Sequence, residues 1–202
     1  MTRLRNLSLK AVATAATVGA LGMVLAGVAS ADTAYNAAGT YRCTFPGVPQ
    51  QDVAITATLT GPDSLPASGT AVPTNVGGTA TITATVHALL TAVGYDGIRG
   101  LATVPVTAAR GSVSGPASGL EIPEVIYPTG GPITVNINQV ATSSIPTYTA
   151  PSTAGADTLT LGTPISAALQ FHKKSNNTWA NWTMVCTPKT TAPNFSPDFS
   201  IT

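Results

Sequence analysis

The sequence predicts an all-β fold: an antiparallel immunoglobulin-like β-sandwich of about eight strands, held by one disulfide and preceded by a signal peptide. Three observations carry that expectation. Apolar residues recur at every second position in several short runs, which lines one face of a strand but would scatter around a helix. Clusters of glycine, proline, serine and asparagine break the runs, and no stretch beyond the leader sustains a helical period. The two cysteines of the chain, Cys43 and Cys186, sit near the two ends of the patterned region.

Residues 1–31 read as the leader. Arg3, Arg5 and Lys10 precede an uncharged apolar run from Ala11 to Val28, and Ala29-Ser30-Ala31 is a small-x-small site, so cleavage is expected after Ala31. Leu4 separates the two arginines, which points to the general secretory route, and no cysteine follows the run to carry a lipid. The mature chain is then expected outside the cell and free of the membrane, with a β-sandwich domain over 32–188 and a C-terminal tail over 189–202. Three of the nine basic residues leave with the leader, so the remaining six face eight acidic ones. Such a surface offers no electrostatic footprint for nucleic acid or an anionic membrane.

Beyond a secretory leader the compartment is oxidising, so Cys43 and Cys186 are expected to bond. A zinc site would need further ligands, and neither histidine is suitably spaced from a cysteine. In the chain-entropy model, closing so long a loop is worth on the order of 5 kcal/mol. Cys43 shares an alternation face with Tyr41 and Phe45, and Cys186 shares one with Trp182. The bridge is therefore expected to be an inter-sheet staple among aromatics.

Taken in order, the first strand is Tyr41–Phe45, stopped by Pro46-Gly47. Val53, Ile55, Ala57 and Leu59 form the inner face of the second, with threonines opposite, and Gly61-Pro62 breaks it. Alternation returns with Ala80, Ile82, Ala84 and Val86. The stretch from His87 to Val93, ending at Gly94, fits either a helical turn with a glycine cap or a continued strand. Ile98–Thr107 reads as a strand that Pro105 confines to an edge or a bulge. A short segment at Leu120–Ile122, the alternating run Ile133–Asn138 and a short strand at Leu159–Leu161 follow, separated by loops. A hairpin closes the domain: Ile165, Ala167, Leu169 and Phe171 run up to a polar turn at Lys173–Asn177, and Ala180, Trp182, Met184 and Cys186 return. In the tail, Phe195, Phe199 and Ile201 are evenly spaced, as on one face of an extended chain. Pro193 and Pro197 allow an edge strand bonded on one side, docked on this domain or on a neighbouring copy.

Tyr41-Arg42-Cys43-Thr44-Phe45-Pro46, the Pro62-Asp63-Ser64 turn and the closing Cys186-Thr187-Pro188 resemble a family of secreted actinobacterial domains catalogued as being of unknown function. The resemblance runs from about Tyr41 to Pro188. It implies a secreted single-disulfide β-sandwich and brings no catalytic residues.

Chemistry-bearing residues are sparse. His87 closes a strand and His172 stands on the outer face beside Lys173, at a solvated hairpin end; no nucleophile-elbow sequence accompanies either. Glu121 and Glu124, three apart in an extended segment, are expected on opposite faces, which does not make a facing acid–base pair. No phosphate loop, metal-ligand cluster or calcium loop occurs, so no cofactor and no enzyme activity are expected. The triplets at Asn176, Asn181 and Asn194 match the glycosylation pattern but are expected to be accidental. Alternation puts Trp182 inside and Trp179 outside, next to Asn177 and Asn181, a combination of stacking and amide chemistry that suits sugars or polymers. The expected function is a non-catalytic binding or structural module of the cell envelope or extracellular space. Its partner would be an envelope polymer, a surface protein or a second copy reached through the tail. The alternative is a carrier of a small apolar ligand between the sheets, which the many inward alanines would leave room for. A hydrolase has little support, because titratable groups are few.

Overall fold

Eight long strands dominate the chain: β1 (Asp32–Phe45), β2 (Val48–Pro62), β3 (Thr74–Ile82), β4 (Tyr95–Val104), β5 (Ala117–Ile126), β6 (Ile133–Asn138), β7 (Ile165–Lys173) and β8 (Thr178–Pro188). The computed structural model describes residues 31–202, so the expected leader, apart from Ala31, lies outside the described residues. The strands make one antiparallel sheet that closes on itself in the order β1–β8–β7–β4–β5–β6–β3–β2. The expected immunoglobulin-like sandwich is thereby corrected to a closed barrel. Alternation demands one apolar face in either architecture; strand pairing makes the choice. Here β1 bonds to β2 on one side and β8 on the other, which leaves no edge at which two sheets could part.

The inner face is filled as the alternation requires. Val53, Ile55, Ala57 and Leu59 of β2, Ile133, Val135 and Ile137 of β6, and Ile165, Ala167, Leu169 and Phe171 of β7 are all buried. Outward threonines bond across strands, with the Thr56 and Thr79 hydroxyl oxygens 2.7 Å apart. The ambiguous stretch is a helix, α1 (Ala84–Ala92). The Thr83 hydroxyl caps it by accepting from the Val86 amide at 3.3 Å, and Gly94, at φ +91°, lets the chain turn out. The extended reading of Ala84 and Val86 is corrected accordingly, since β3 stops at Ile82 where the cap begins. Val86, His87 and Leu90 are the buried face of α1.

The seam of the barrel is short. β8 meets β1 at Tyr41–Pro188, Arg42–Thr187 and Cys43–Cys186, whereas β1 and β2 stay paired from Asp32–Pro62 to Phe45–Val48. The disulfide joins Cys43 to Cys186 with their Cα atoms 4.1 Å apart, the close approach of a non-hydrogen-bonded antiparallel pair. It spans neighbouring strands of one sheet, which corrects the expected inter-sheet staple; what it locks is the seam. Just past it, β8 still reaches β1 through Thr44: the Trp182 indole N–H donates to its carbonyl at 3.2 Å and the Val185 amide to its hydroxyl at 3.1 Å.

Short strands gather at the end where β4 stops and β5 and β7 start. Thr70–Ala71, Tyr148–Thr149 and Ser112–Val113 form one three-stranded sheet, and Gly155–Asp157, Phe199–Ile201 and Ser64–Leu65 form another. Pro105, without an amide to donate, separates β4 from Val106–Ala108, which pairs with Leu159–Leu161 instead. The tail is built into this end. The Phe195 amide donates to the Leu159 carbonyl at 2.8 Å, while Asn36 and Ser196 exchange two bonds of 2.9 Å on the other side. Phe199–Ile201 is the middle strand of its sheet, which corrects the expected edge strand bonded on one side. Pro193 and Pro197 both precede that segment, so its amides remain free for both neighbours. Phe195, Phe199 and Ile201 are buried in their own chain.

One buried carboxylate ties these segments together. Asp157 accepts from the Arg110 amide at 2.8 Å, the Gly111 amide at 2.7 Å and the Tyr148 hydroxyl at 2.7 Å. Burial pushes its pKa up, but the hydrogen bonds from Tyr148 and the backbone outweigh that and hold it below the usual carboxylate range.

Candidate functional site

Polar side chains with long reach collect on the outer wall formed by β5, β4, β7 and β8. Register sets Arg99 of β4 opposite Gln170 of β7, and Gln170 opposite Asn181 of β8. Arg99 Nε donates to Gln170 Oε1 at 2.8 Å, and Gln170 Nε2 donates to Asn181 Oδ1 at 2.9 Å. On the other side Arg99 Nη1 donates to Glu124 Oε2 at 2.9 Å. One line of hydrogen bonds therefore crosses four strands.

Glu124 joins that line because of a bulge. The β4–β5 register shifts between Ile98 and Gly100, so that Pro123 and Glu124 together stand opposite Arg99. The extra residue returns Glu124 to the face of Glu121. Both carboxylates are exposed and border the same groove, which corrects the expectation of opposite faces. The groove encloses about 610 Å³, with Arg99, Glu121, Glu124, Gln170 and Asn181 around it and Leu101 exposed within it. Gly100 lets β4 lie close to β7 here, since a Cβ at this position would stand 2.2 Å from the Ala168 carbonyl oxygen.

The three residues singled out from the sequence are not equivalent. Asn181 lines the groove. Trp179 faces outward and half-buried beside it, with the Arg99 guanidinium 4.1 Å from its ring centroid and the His172 ring at 5.0 Å. This cation–π contact fixes the plane of the guanidinium and is worth about 0.5–1 kcal/mol at such a site. Trp182, on the opposite face of β8, is half-buried as well. Asn177 belongs to the turn beyond. It sits at φ +54°, a conformation asparagine tolerates, with Oδ1 2.9 Å from His172 Nε2.

His172 Nδ1 is 2.5 Å from Asp96 Oδ1. With an acceptor at each ring nitrogen, both contacts are satisfied together only by the imidazolium. The Asp96 hydrogen bond is the main cause of a raised pKa; burial opposes it, and Asn177 and the charges of Asp96 and Glu124 add to it. The side chain is 14% exposed, so the solvated hairpin end expected for His172 is corrected to a clipped one. His87 lies on α1 rather than at a strand end, 5% exposed, with Nδ1 2.8 Å from the Gly131 carbonyl oxygen and its ring edge-on to Tyr127. Among the described residues no group of three His, Cys, Asp or Glu side chains is placed to share a metal ion, and no helix is long and apolar enough to cross a membrane.

Arg99, Gln170 and Asp96 escaped the sequence reading. Alternation assigns Arg99 and Gln170 to outer faces, but nothing local says that β4 and β7 are neighbours.

What these residues build is an antiparallel β-barrel closed by a disulfide and grooved along its outer wall. The chain belongs to the Family of unknown function (DUF6801), whose model matches residues 40–195, from the middle of β1 into the docked tail. No curated protein and no solved structure matches it.

Proposed function

We propose that the protein is a non-catalytic module of the cell envelope or extracellular space that binds a hydroxyl-rich polymer, such as a polysaccharide, along the outer groove. The observation that carries this is the hydrogen-bonded line Glu124–Arg99–Gln170–Asn181 beside an exposed apolar Leu101. A sugar ring presents hydroxyls at its rim and C–H groups on its faces, so carboxylate acceptors, amide and guanidinium donors and an apolar surface match it together. The groups are mutually bonded before any ligand arrives, and Trp179 holds the guanidinium in place. Little side-chain entropy is then lost on binding.

Trp179 and Trp182 stand close enough to report occupancy. Soluble oligosaccharides from envelope and extracellular polymers are titrated while tryptophan fluorescence is followed, with Arg99→Ala and Asn181→Ala as the paired variants. A saturable response that Asn181→Ala weakens about 3–10-fold, and Arg99→Ala more, is expected from the loss of one and of several hydrogen bonds. Variants that bind as the unaltered protein does, or no response to any member of the panel, would overturn the proposal.

A further inference from the structure

Charge is spread unevenly along the outer groove. Two rows of side chains cross the wall there, and the first is the hydrogen-bonded line from Glu124 to Asn181. The next outward position on each strand makes the second row. Register sets Glu121 of β5 opposite Leu101 of β4, Leu101 opposite Ala168 of β7, and Ala168 opposite Thr183 of β8. All four line the groove. Its β5 end therefore carries two carboxylates, Glu121 and Glu124, and its β8 end two neutral groups, Asn181 and Thr183. Exposed Leu101 and the short Ala168 lie between the two ends. Inside the barrel, by contrast, two apolar spaces hold about 50 and 30 Å³, against the about 150 Å³ that accepts a benzene ring, so they give the expected apolar ligand little room.

Arg99 is the one cation in the groove lining, and its charge is already matched by Glu124, 2.9 Å away. Among the described residues Glu121 has no hydrogen-bond or ion-pair partner, so its negative charge is the one left unbalanced. Asp96 and His172, on the far side of Trp179, are paired with one another and supply no free cation. Hydrogen-bonding capacity leans the same way. The carboxylate oxygens still free at the β5 end are both of Glu121 and Oε1 of Glu124, since Oε2 already accepts from Arg99. Ionised carboxylates only accept, so this end calls for donors. A hydroxyl brings one donor, whereas an ammonium brings three together with the missing positive charge. A uronate or a phosphate brings no cation and would meet Glu121 as a like charge.

We propose that the polymer bound in the outer groove is one of amino sugars with free amino groups, and that Glu121 is the residue that selects it. The ammonium lies at the β5 end between Glu121 and Glu124, and the chain runs across the strands over Leu101 and Ala168 toward Asn181 and Thr183. The inference rests on the polymer-binding reading of this groove and narrows it from hydroxyl-rich chains in general to cationic ones.

The test is calorimetric titration of the protein with oligomers of equal length of glucosamine, N-acetylglucosamine and galacturonic acid. Acetylation turns the ammonium into a neutral amide and leaves the ring hydroxyls in place. The glucosamine oligomer is expected to bind about fivefold more tightly than its N-acetyl form, the scale of one ion pair at a solvated site, and the galacturonate oligomer most weakly. Added salt is expected to shrink that preference. Glu121→Gln should bring glucosamine and N-acetylglucosamine to within about twofold of each other. Glu121→Lys, at the same exposed position, should reverse the order of glucosamine and galacturonate. Equal binding of the two glucosamine forms by the unaltered protein, or a preference that survives both substitutions, would overturn the amino-sugar assignment. So would an oligolysine that binds as tightly as the glucosamine oligomer, because the groove would then read charge without the sugar. Silence of the glucosamine oligomer alone overturns this assignment, whatever neutral polymers bind; the polymer reading falls only if the wider panel is silent as well.

Discussion

Asp157→Asn isolates the clamp that orders the mouth of the barrel. The substitution keeps the size of the side chain and removes its charge. If the remaining carbonyl oxygen keeps the Gly111 amide and the Tyr148 hydroxyl, the new NH₂ faces the Arg110 amide, donor against donor. A hydrogen bond to a charged acceptor contributes about 1.5–3 kcal/mol, and a buried donor left unpaired costs about 1–3 kcal/mol. The expected loss is about 3 kcal/mol, because the retained bonds weaken while one is replaced by repulsion. For a domain of this size that lowers Tm by about 6–12 °C. Tyr148→Phe removes one donor and is expected to cost about 1.5 kcal/mol, and the double variant less than the sum, since both changes act on one carboxylate. The effect also depends on pH. The folded pKa of Asp157 is depressed, so its stabilisation is complete above the unfolded value near pH 4 and disappears as pH falls through the lower folded value. The stability gap between the native protein and Asp157→Asn should therefore shrink below about pH 4. Urea titrations at several pH values measure it. A gap under about 1 kcal/mol at neutral pH, or one that persists unchanged to pH 2, would refute the clamp.

Three further outcomes are expected. Removing the disulfide with paired Cys43→Ala and Cys186→Ala should cost about 2–5 kcal/mol, and amide exchange should rise first at Tyr41–Cys43 and Cys186–Pro188, where β1 and β8 are barely paired. Uniform loosening of the whole barrel would contradict a seam role. The His172 imidazole should titrate above its ordinary value of 6.5, and Asp96→Asn should bring it back; stabilisation from this clip is full below the unfolded pKa and is lost as pH rises through the folded one. An NMR titration that found His172 at or below the ordinary value would remove the clip. Truncation after Thr191 should lower Tm without changing the oligomeric state by light scattering, because Phe195, Phe199 and Ile201 are buried in their own chain. A truncated protein equally stable, or one that alone becomes monomeric, would mean that the tail docks elsewhere.

Much of the candidate site hangs on relations that no local pattern encodes. Trp179, Asn177 and Asn181 were visible because they stand close together on one hairpin, and alternation read back from Cys186 assigns their faces. Arg99 and Gln170 are 71 residues apart, and only the β4–β7 pairing makes them neighbours. A three-residue step in an ideal strand puts Glu121 and Glu124 on opposite faces. The bulge opposite Arg99 adds one residue to β5 and reverses the outcome.

The sequence by itself determined most of the strand faces, a mainly β class and the bonded cysteines. Those follow from period-2 burial and from the chemistry of two thiols, which depend on near neighbours and composition. Tertiary structure alone decided that the sheet closes into a barrel rather than splitting into a sandwich, that the disulfide locks a seam, and that the tail lies between two partners. Each of these is a choice of partner among strands with equally apolar inner faces. That choice rests on how far β1 and β2 extend, where β8 stops and which amides the prolines leave free, all properties of distant segments acting on one another.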